Sequence, residues 1–378
     1  MQKLASKKLL FITGTRADFG KLQPLASSAV QEGFEVCFFI TGMHMLEKYG
    51  LTKLEVIKHK EFQHFEFLNQ RQGDKQDTIL SKTIIGFSDY IDEIKPDLVV
   101  IHGDRIEAVA CSLVAATNYY LTVHIEGGEV SGTIDEIFRH CNTKLCAVHL
   151  VSSKEAKKRV IQLGEDEKDI YVIGSPELDL HLQDSGVTIS EVKERYDINA
   201  SEYGICIFHP VTSERETIKF QAERLFEILS QTKKYFVVIL PNNDPGCEDI
   251  KSVIKKLNKK YFRVLPSMRF NYFSELMKNC GIFIGNSSAG VREAPFLGVP
   301  SIDIGTRQTN RARSKSIFQC HPEEIKFIEE LIEENWYKRF KPDKSYGVGN
   351  ASAAFVSILK NKNFWKRSLQ KIFNENKL

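Results

Sequence analysis

No stretch of this 378-residue chain approaches the ~20 consecutive apolar residues that a membrane-spanning helix needs. The apolar run Leu9-Leu10-Phe11-Ile12 ends at Thr13-Gly14 and is too short for the hydrophobic region of a signal peptide. No long basic run is present. Lys and Arg number 52 against 49 Asp and Glu, a net charge of +3, so nothing points to nucleic acid. There is no Cys-x-x-Cys. The eight cysteines (Cys37, Cys111, Cys141, Cys146, Cys206, Cys247, Cys280 and Cys320) are scattered, mostly in apolar segments, as expected of reduced thiols in the cytoplasm. Cys141 and Cys146 lie near His140 and His149, but on one predicted helix these side chains do not share a face at ligand spacing. No metal is therefore expected. No sequence repeat relates the two halves of the chain.

What is present is apolar residue content, 42% of the chain, too much for a single core and enough for about two domains. In the first half, short apolar runs alternate with helical patterns. Strands are expected at Lys8 to Thr13, Phe34 to Thr41, Phe62 to Leu68, Leu98 to His102, Leu121 to Ile125, Leu150-Val151 and Tyr171 to Ile173. Helices are expected between them, including Thr78 to Ile94, Ile106 to Asn118 and Ile134 to Val148. This alternation predicts a parallel sheet covered on both faces. A polar helical connector from about Glu177 to Glu202 follows Gly174-Ser175-Pro176. A second series then begins, with strands at Gly204 to Phe208, Tyr235 to Leu240, Phe262 to Leu265, Gly281 to Ile284 and Ser301 to Ile304. Its helices include Gly290 to Phe296. The fold class is thus α/β, with two Rossmann-like domains of parallel sheets. Basic residues from Lys360 to Lys371, interleaved with Phe364, Trp365, Leu369, Ile372 and Phe373, predict a closing amphipathic helix.

Right-handed crossovers put the strand-to-helix loops on one edge of each sheet, and ligands of open α/β sheets bind outside the carboxyl ends of strands. An active site in the cleft between the domains is therefore expected. In the first domain those loops read Gly14-Thr15-Arg16-Ala17-Asp18, Thr41-Gly42-Met43-His44, His102-Gly103-Asp104-Arg105 and His124-Ile125-Glu126-Gly127-Gly128-Glu129, then Ser131-Gly132-Thr133-Ile134-Asp135. Acids, histidines and arginines recur beside glycine at corresponding positions. Each has a plain structural reading beside the functional one. Asp104 could cap the next helix. Glu126 could pair with Arg105. Thr133 and Glu136 match a capping box, with Asp135 complementing the helix dipole. His102 and His124 end buried strands, where a satisfied core histidine is the default.

In the second half, Gly285-Asn286-Ser287-Ser288-Ala289-Gly290 follows a strand and opens a helix bearing Arg292 and Glu293. Free N–H groups at a helix start suit a diphosphate, Ser287 and Ser288 add hydroxyls, and Glu293 can reach ribose hydroxyls. The plain reading is a serine N-cap with no ligand. Arg307, in Gly305-Thr306-Arg307-Gln308, offers a further guanidinium. His209-Pro210-Val211-Thr212 follows the first strand of this half, and Pro241-Asn242-Asn243-Asp244 the second.

Taken in order, these motifs resemble those of the hydrolysing UDP-N-acetylglucosamine 2-epimerases of sialic-acid biosynthesis, up to about residue 315. The resemblance implies a glycosyltransferase-B-like architecture. Residues 1–176 would form the domain of the catalytic acids, 177–355 the UDP-binding domain, and 356–378 a helix crossing back to the first. It implies that UDP-N-acetylglucosamine and water give N-acetylmannosamine and UDP, through elimination to a 2-acetamidoglucal, with no cofactor and no metal. Asp104, Glu126 and Asp135 become the acid/base set, with His209 near the leaving phosphate. Arg16, Ser287, Ser288 and Arg307 would hold the diphosphate and Glu293 the ribose; His44, Arg105 and Arg139 complete the substrate-binding set. A cytoplasmic homodimer or homotetramer is implied, acting on a small-molecule UDP-sugar. The sequence departs from the family's usual pattern at Glu136-Ile137-Phe138, which is bulkier, while Met43 favours the hydrolysing branch. Rival readings are the same reaction on nucleotide-linked N,N'-diacetylbacillosamine in the legionaminic-acid route, a glycosyltransferase of the same fold, and a silent nucleotide-sugar binder.

Overall fold

The computed structural model describes residues 7–71, 73–131, 134–241, 245–311 and 314–375. The chain divides into two compact units. The first comprises Met1–Glu129, Ile134–Asp179 and Ser345–Leu378; the second comprises Val130–Thr133 and Leu180–Lys344. Among the described residues no helix is long and apolar enough to cross a membrane.

The first unit is built on strands β1 (Lys8–Thr13), β2 (Glu35–Ile40), β3 (Gln63–Glu66), β4 (Leu98–His102), β5 (Thr122–Ile125), β6 (Val148–Val151) and β7 (Ile170–Val172). They form one sheet in the order β3-β2-β1-β4-β5-β6-β7, with every neighbouring pair parallel. β1 and β4 are apolar without alternation because helices cover both faces, so Leu9 and Leu10 both have no exposed surface. The strand order reverses between β1 and β4, which opens a crevice at their carboxyl ends. β3 is an edge strand with every residue exposed, shorter than its apolar pattern suggests.

The second unit carries β8 (Gly204–Ile207), β9 (Phe236–Ile239), β10 (Phe262–Leu265), β11 (Phe283–Gly285), β12 (Ser301–Ile304) and β13 (Ile317–Cys320). Their order is β10-β9-β8-β11-β12-β13, again all parallel, and the reversal falls between β8 and β11. Cys206 and Phe208 pack into the core on one face of this sheet; Ile205 and Ile207 pack into the core on the other. The two-fold set of parallel α/β sheets is the fold class the sequence indicates.

Several elements differ from the sequence reading. The connector is two helices, Glu177–Leu182 and Ile189–Tyr196, because Asp184-Ser185-Gly186 interrupts it. The second of these starts on a capping box, Thr188 with Glu191. β13 was not expected. The segment Gly290 to Phe296 is two four-residue helices, Ser288–Val291 and Glu293–Phe296, broken at Arg292. The closing helix is Ala351–Lys360 rather than the basic tail after it. Phe355 buries its ring against Phe11, centroids 6.2 Å apart, and the helix packs on Arg16–Gln31. Burying one such ring contributes about 1.5–3 kcal/mol. Asp179 caps this helix from a distance, accepting from the N–H groups of Ala351 (2.9 Å) and Ser352 (2.7 Å). Beyond it the tail forms a short 3-10 turn, Lys362–Lys366, then runs without helix, leaving Ile372 and Phe373 exposed. Phe364 and Trp365 still pack on the core of the first unit although the helix ends before them at Lys360.

Candidate functional site

In the first unit the loops after β1, β4 and β5 bring acids together at the strand-order reversal. Thr15 caps the helix Arg16–Gln31, accepting from the Asp18 N–H at 3.2 Å, and this places Asp18 and Lys21 on its first turns. Asp18 lies 3.2 Å from Nδ1 of His102, the last residue of β4. His102 Nε2 faces Glu126 at 3.5 Å. Lys21 donates to both oxygens of Glu126, at 2.8 and 2.9 Å, and sits 3.7 Å from Glu177. Glu126 is buried, at φ +66°, a left-handed conformation uncommon outside glycine. Gly128 follows, also at positive φ, where a Cβ would fall 2.2 Å from the Ala156 carbonyl oxygen. Only glycine lets the Glu126 loop settle on the helix Lys154–Gln162 that carries Ala156.

A second pair lies beside this cluster. Arg139, almost wholly buried, donates to Asp104 and, at 3.1 Å, to the Glu129 carbonyl. Ser152 in turn donates to the Glu129 carboxylate. Asp135 opens the helix Asp135–Leu145 that carries Arg139. Thr133, the expected N-cap of that helix, lies outside the described residues, as do Gly132 and Asn242-Asn243-Asp244. Arg105 occupies the N-cap position of the helix Ile106–Thr117, where its charge acts on Asp18.

Electrostatics separate the histidines. Burial alone would lower His102, but hydrogen bonding to Asp18 and Glu126 outweighs it and raises its pKa to about 9. Burial would raise Asp18, yet the hydrogen bond and charge of His102, followed by Arg105, bring it down to about 2. His124 is different: its ring meets Thr143 Oγ1 at 3.1 Å and the Gly103 carbonyl at 2.9 Å, and burial lowers its pKa to about 3. It braces the Gly103 turn as a neutral core residue. His44 is also fully buried, with Nε2 2.9 Å from Thr13 Oγ1 and Nδ1 2.8 Å from Thr52 Oγ1. Burial lowers its pKa to about 4. Both ring nitrogens meet threonine hydroxyls, so His44 braces the loop after β2. Arg16 reaches Glu55 at 3.1 Å.

In the second unit the loops after β8 and β11 are tied by Asn286. Its Oδ1 accepts from the His209 N–H at 2.6 Å and its Nδ2 donates to the His209 carbonyl at 2.8 Å. Arg307 (3.1 Å) and Gln308 (2.8 Å) both donate to the Asn286 carbonyl. Gly285 has φ +131°, and a Cβ there would fall 2.0 Å from the Ile207 carbonyl oxygen, so the close approach of β11 to β8 requires glycine. Ser287 caps the short helix Ser288–Val291, accepting from the Ala289 N–H at 3.4 Å. Glu293 lies 2.7 Å from Nε2 of the buried His181, whose Nδ1 is 2.8 Å from Ser274 Oγ.

Of the residues the sequence singled out, the first unit pairs Asp104 with Arg139, and the second joins His209 and Arg307 through Asn286, next to Ser287. Sequence reasoning gave Asp18, Lys21, Glu177 and His181 no role, and read His102 as core. Asp18 and Lys21 stood in plain view on the first turns of a helix that begins at a strand end. His181 gave no local signal.

The family model described as UDP-N-acetylglucosamine 2-epimerase matches residues 27–360. A relative from Neisseria meningitidis serogroup B named UDP-N-acetylglucosamine 2-epimerase is 42% identical, over 97% of this chain and 98% of its own. One from Legionella pneumophila named UDP-N,N'-diacetylbacillosamine 2-epimerase (hydrolyzing) is 30% identical, over 94% and 96%. The fold matches the solved UDP-GlcNAc 2-epimerase from Neisseria meningitidis bound to UDP-GlcNAc, with a TM-score of 0.80, 21% identity, and 94% of this chain and 100% of that one covered. That likeness supports the glycosyltransferase-B-like class of the two Rossmann-like units.

Proposed function

Since this chain belongs to the UDP-N-acetylglucosamine 2-epimerase family, we propose that it works as a hydrolysing enzyme, converting UDP-N-acetylglucosamine and water to N-acetylmannosamine and UDP for sialic-acid synthesis. The observation that carries this reading is the set of acids on the first unit: Glu126 beyond β5, Asp104 beyond β4 with Arg139 against it, and Asp135 on the same helix as Arg139. Elimination breaks the C2–H and C1–O bonds. The proton goes to a carboxylate, and the electron pair of the C1–O bond leaves with UDP. Water then adds to C1 of the 2-acetamidoglucal while C2 receives a proton on the opposite face. Two proton transfers on opposite sides of one carbon call for more than one carboxyl group, which this unit supplies. On the second unit, Ser287, Ser288 and Arg307 would hold the diphosphate, Glu293 the ribose and His209 the leaving phosphate. Assembly as a cytoplasmic homodimer or homotetramer belongs to the same proposal.

A second reading is favoured by the Legionella relative's name: the same chemistry on nucleotide-linked N,N'-diacetylbacillosamine. Proton NMR in deuterated water separates these. Release of N-acetylmannosamine carrying deuterium at C2 is the expected result. Accumulation of UDP-N-acetylmannosamine would overturn the hydrolytic assignment, and turnover of the diacetylbacillosamine nucleotide alone would favour the second reading.

A further inference from the structure

The first unit strings five buried or half-buried charged groups in alternating sign. Asp18, His102, Glu126, Lys21 and Glu177 follow one another at 3.2, 3.5, 2.8 and 3.7 Å. His102 is the member whose sign is not fixed by its type. A neutral imidazole has one N–H and one lone pair, so between two carboxylates it would turn the lone pair on one of them. Only the doubly protonated ring carries an N–H toward both carboxylates: Nδ1 lies at hydrogen-bond distance from Asp18, and Nε2, without a hydrogen bond of its own, stands within ion-pair range of Glu126 at 3.5 Å. Asp18 is itself anchored, its second oxygen accepting from the Gly14 N–H at 3.3 Å in the first turn of a helix, where the dipole favours an anion. Other charged groups among the described residues face this string. Lys21, from the same helix as Asp18, opposes a charge on His102, while Arg105 and Glu107 act on Asp18 with opposite signs. His44 and His124 are held neutral by burial, and Glu177 lies beyond Lys21. The left-handed backbone of Glu126 is a second observation. A buried carboxyl is kept in an uncommon conformation while Lys21 and Ser175 donate to it and His102 faces it.

We propose that Asp18 and His102 are positioning residues for Glu126: Asp18 holds His102 doubly protonated, and the imidazolium together with Lys21 fixes Glu126 as an oriented carboxylate. This rests on the reading of Glu126 as an acid/base group of the 2-epimerase reaction. Asp18 and His102 touch no substrate atom in this scheme. They set the charge and direction of the group that does, by the same logic through which opposite charges within a few ångströms favour the ionised form.

The first arm of the test needs no substrate. The full chain, labelled with nitrogen-15 histidine, is titrated by NMR from pH 5 to 10. His102 is expected to stay doubly protonated past pH 8. Its midpoint should fall by about one to three units in Asp18→Asn, the range an opposite charge at this distance commands. A His102 that is neutral at pH 7, or one indifferent to Asp18→Asn, overturns the proposal. The second arm follows turnover against pH. In Asp18→Asn and His102→Gln the acid limb of kcat should move to higher pH, because Glu126 has lost a cationic neighbour, while KM stays within about twofold. A pH-independent loss in both variants would mean a merely structural role and would also overturn it. Thermal midpoints identify a variant that does not fold, and the other then carries the test. Should the wild-type chain turn over neither nucleotide-sugar, the proposed function falls, and the NMR titration still decides the relay.

Discussion

Glu293 and His181 meet at 2.7 Å, and Ser274 lies 2.8 Å from the other nitrogen of the same ring. With one ring nitrogen on the carboxylate and the other on the serine hydroxyl, His181 and Ser274 fix one rotamer of Glu293. Glu293→Ala should weaken UDP binding about tenfold or more, as expected for a charged hydrogen bond of about 1.5–3 kcal/mol. His181→Asn should weaken it less. Calorimetric titration with UDP measures both, and an unchanged affinity in Glu293→Ala would remove it from the ribose.

Asp104→Asn and Glu126→Gln separate chemistry from binding. Each should cost about 10²–10⁴ in turnover while UDP affinity stays nearly intact. If both variants bound UDP as poorly as they turned over substrate, the acid/base assignment would be wrong. Asp104 also serves Arg139. Its side chain is 27% exposed, against 3% for Arg139, so the pair is partly screened. Asp104→Leu should therefore cost about 1–3 kcal/mol of stability, less than a fully buried pair, whereas Asp104→Asn keeps an acceptor and costs less. Thermal denaturation distinguishes the two.

Stability should fall on the acid side of neutrality. His44 and His124, lowered by burial to about 4 and about 3 from the usual 6.5, refuse protons that the unfolded chain accepts. The folded state is thus undisturbed above about pH 6.5 and loses stability as pH drops below it, until each histidine is charged in the fold as well. His102 has the opposite sign: raised to about 9, its contribution is complete below 6.5 and is lost as pH rises through 9. Urea midpoints from pH 4 to 10 should form a plateau near neutrality. A midpoint still rising from pH 6 down to 4 would contradict the assignment of His44 and His124.

Asp303 offers a stabilising substitution. It is buried on β12, beside a cavity of about 420 Å³ that Gln308, Lys315 and Gln319 also line. Burial raises its pKa to about 7, against the pull of Arg307 and Arg311. With a folded value above the unfolded one, stability is complete below about 3.8 and is lost as pH rises through 7. Asp303→Asn removes that loss. It should be more stable than wild type at pH 8 by roughly 1–3 kcal/mol, with the gap closing below about pH 5. An equal or lower midpoint at pH 8 would show that the carboxylate is compensated.

The legible part of this protein was whatever a local period or a short motif encodes. The buried strands of both sheets are apolar over consecutive residues, because helices cover each face, and that pattern stands out without any partner. The strand-end positions of Asp104, Glu126, His209 and Ser287 follow from the same alternation. β13 was missed because Ile317-Phe318-Gln319-Cys320 is a short run at a sheet edge, ordered by its pairing with β12. The tail was misjudged for a related reason. Charge and apolar residues alternate well enough in Lys360 to Phe373 for a helix, but burial of Phe355 and capping by Asp179 place the helix earlier.

By itself the sequence determined two α/β units and which residues stand just beyond the carboxyl ends of their strands, since these depend on residues near one another in the chain. Tertiary structure alone decided the partners. Glu126 pairs with Lys21, 105 positions earlier; His102 lies between Asp18 and Glu126; His181 grips Glu293 across 112 positions. Charge and hydrogen-bond direction act over a few ångströms of space, and which groups come that close is set by how strands order themselves in a sheet, a property no window of sequence contains.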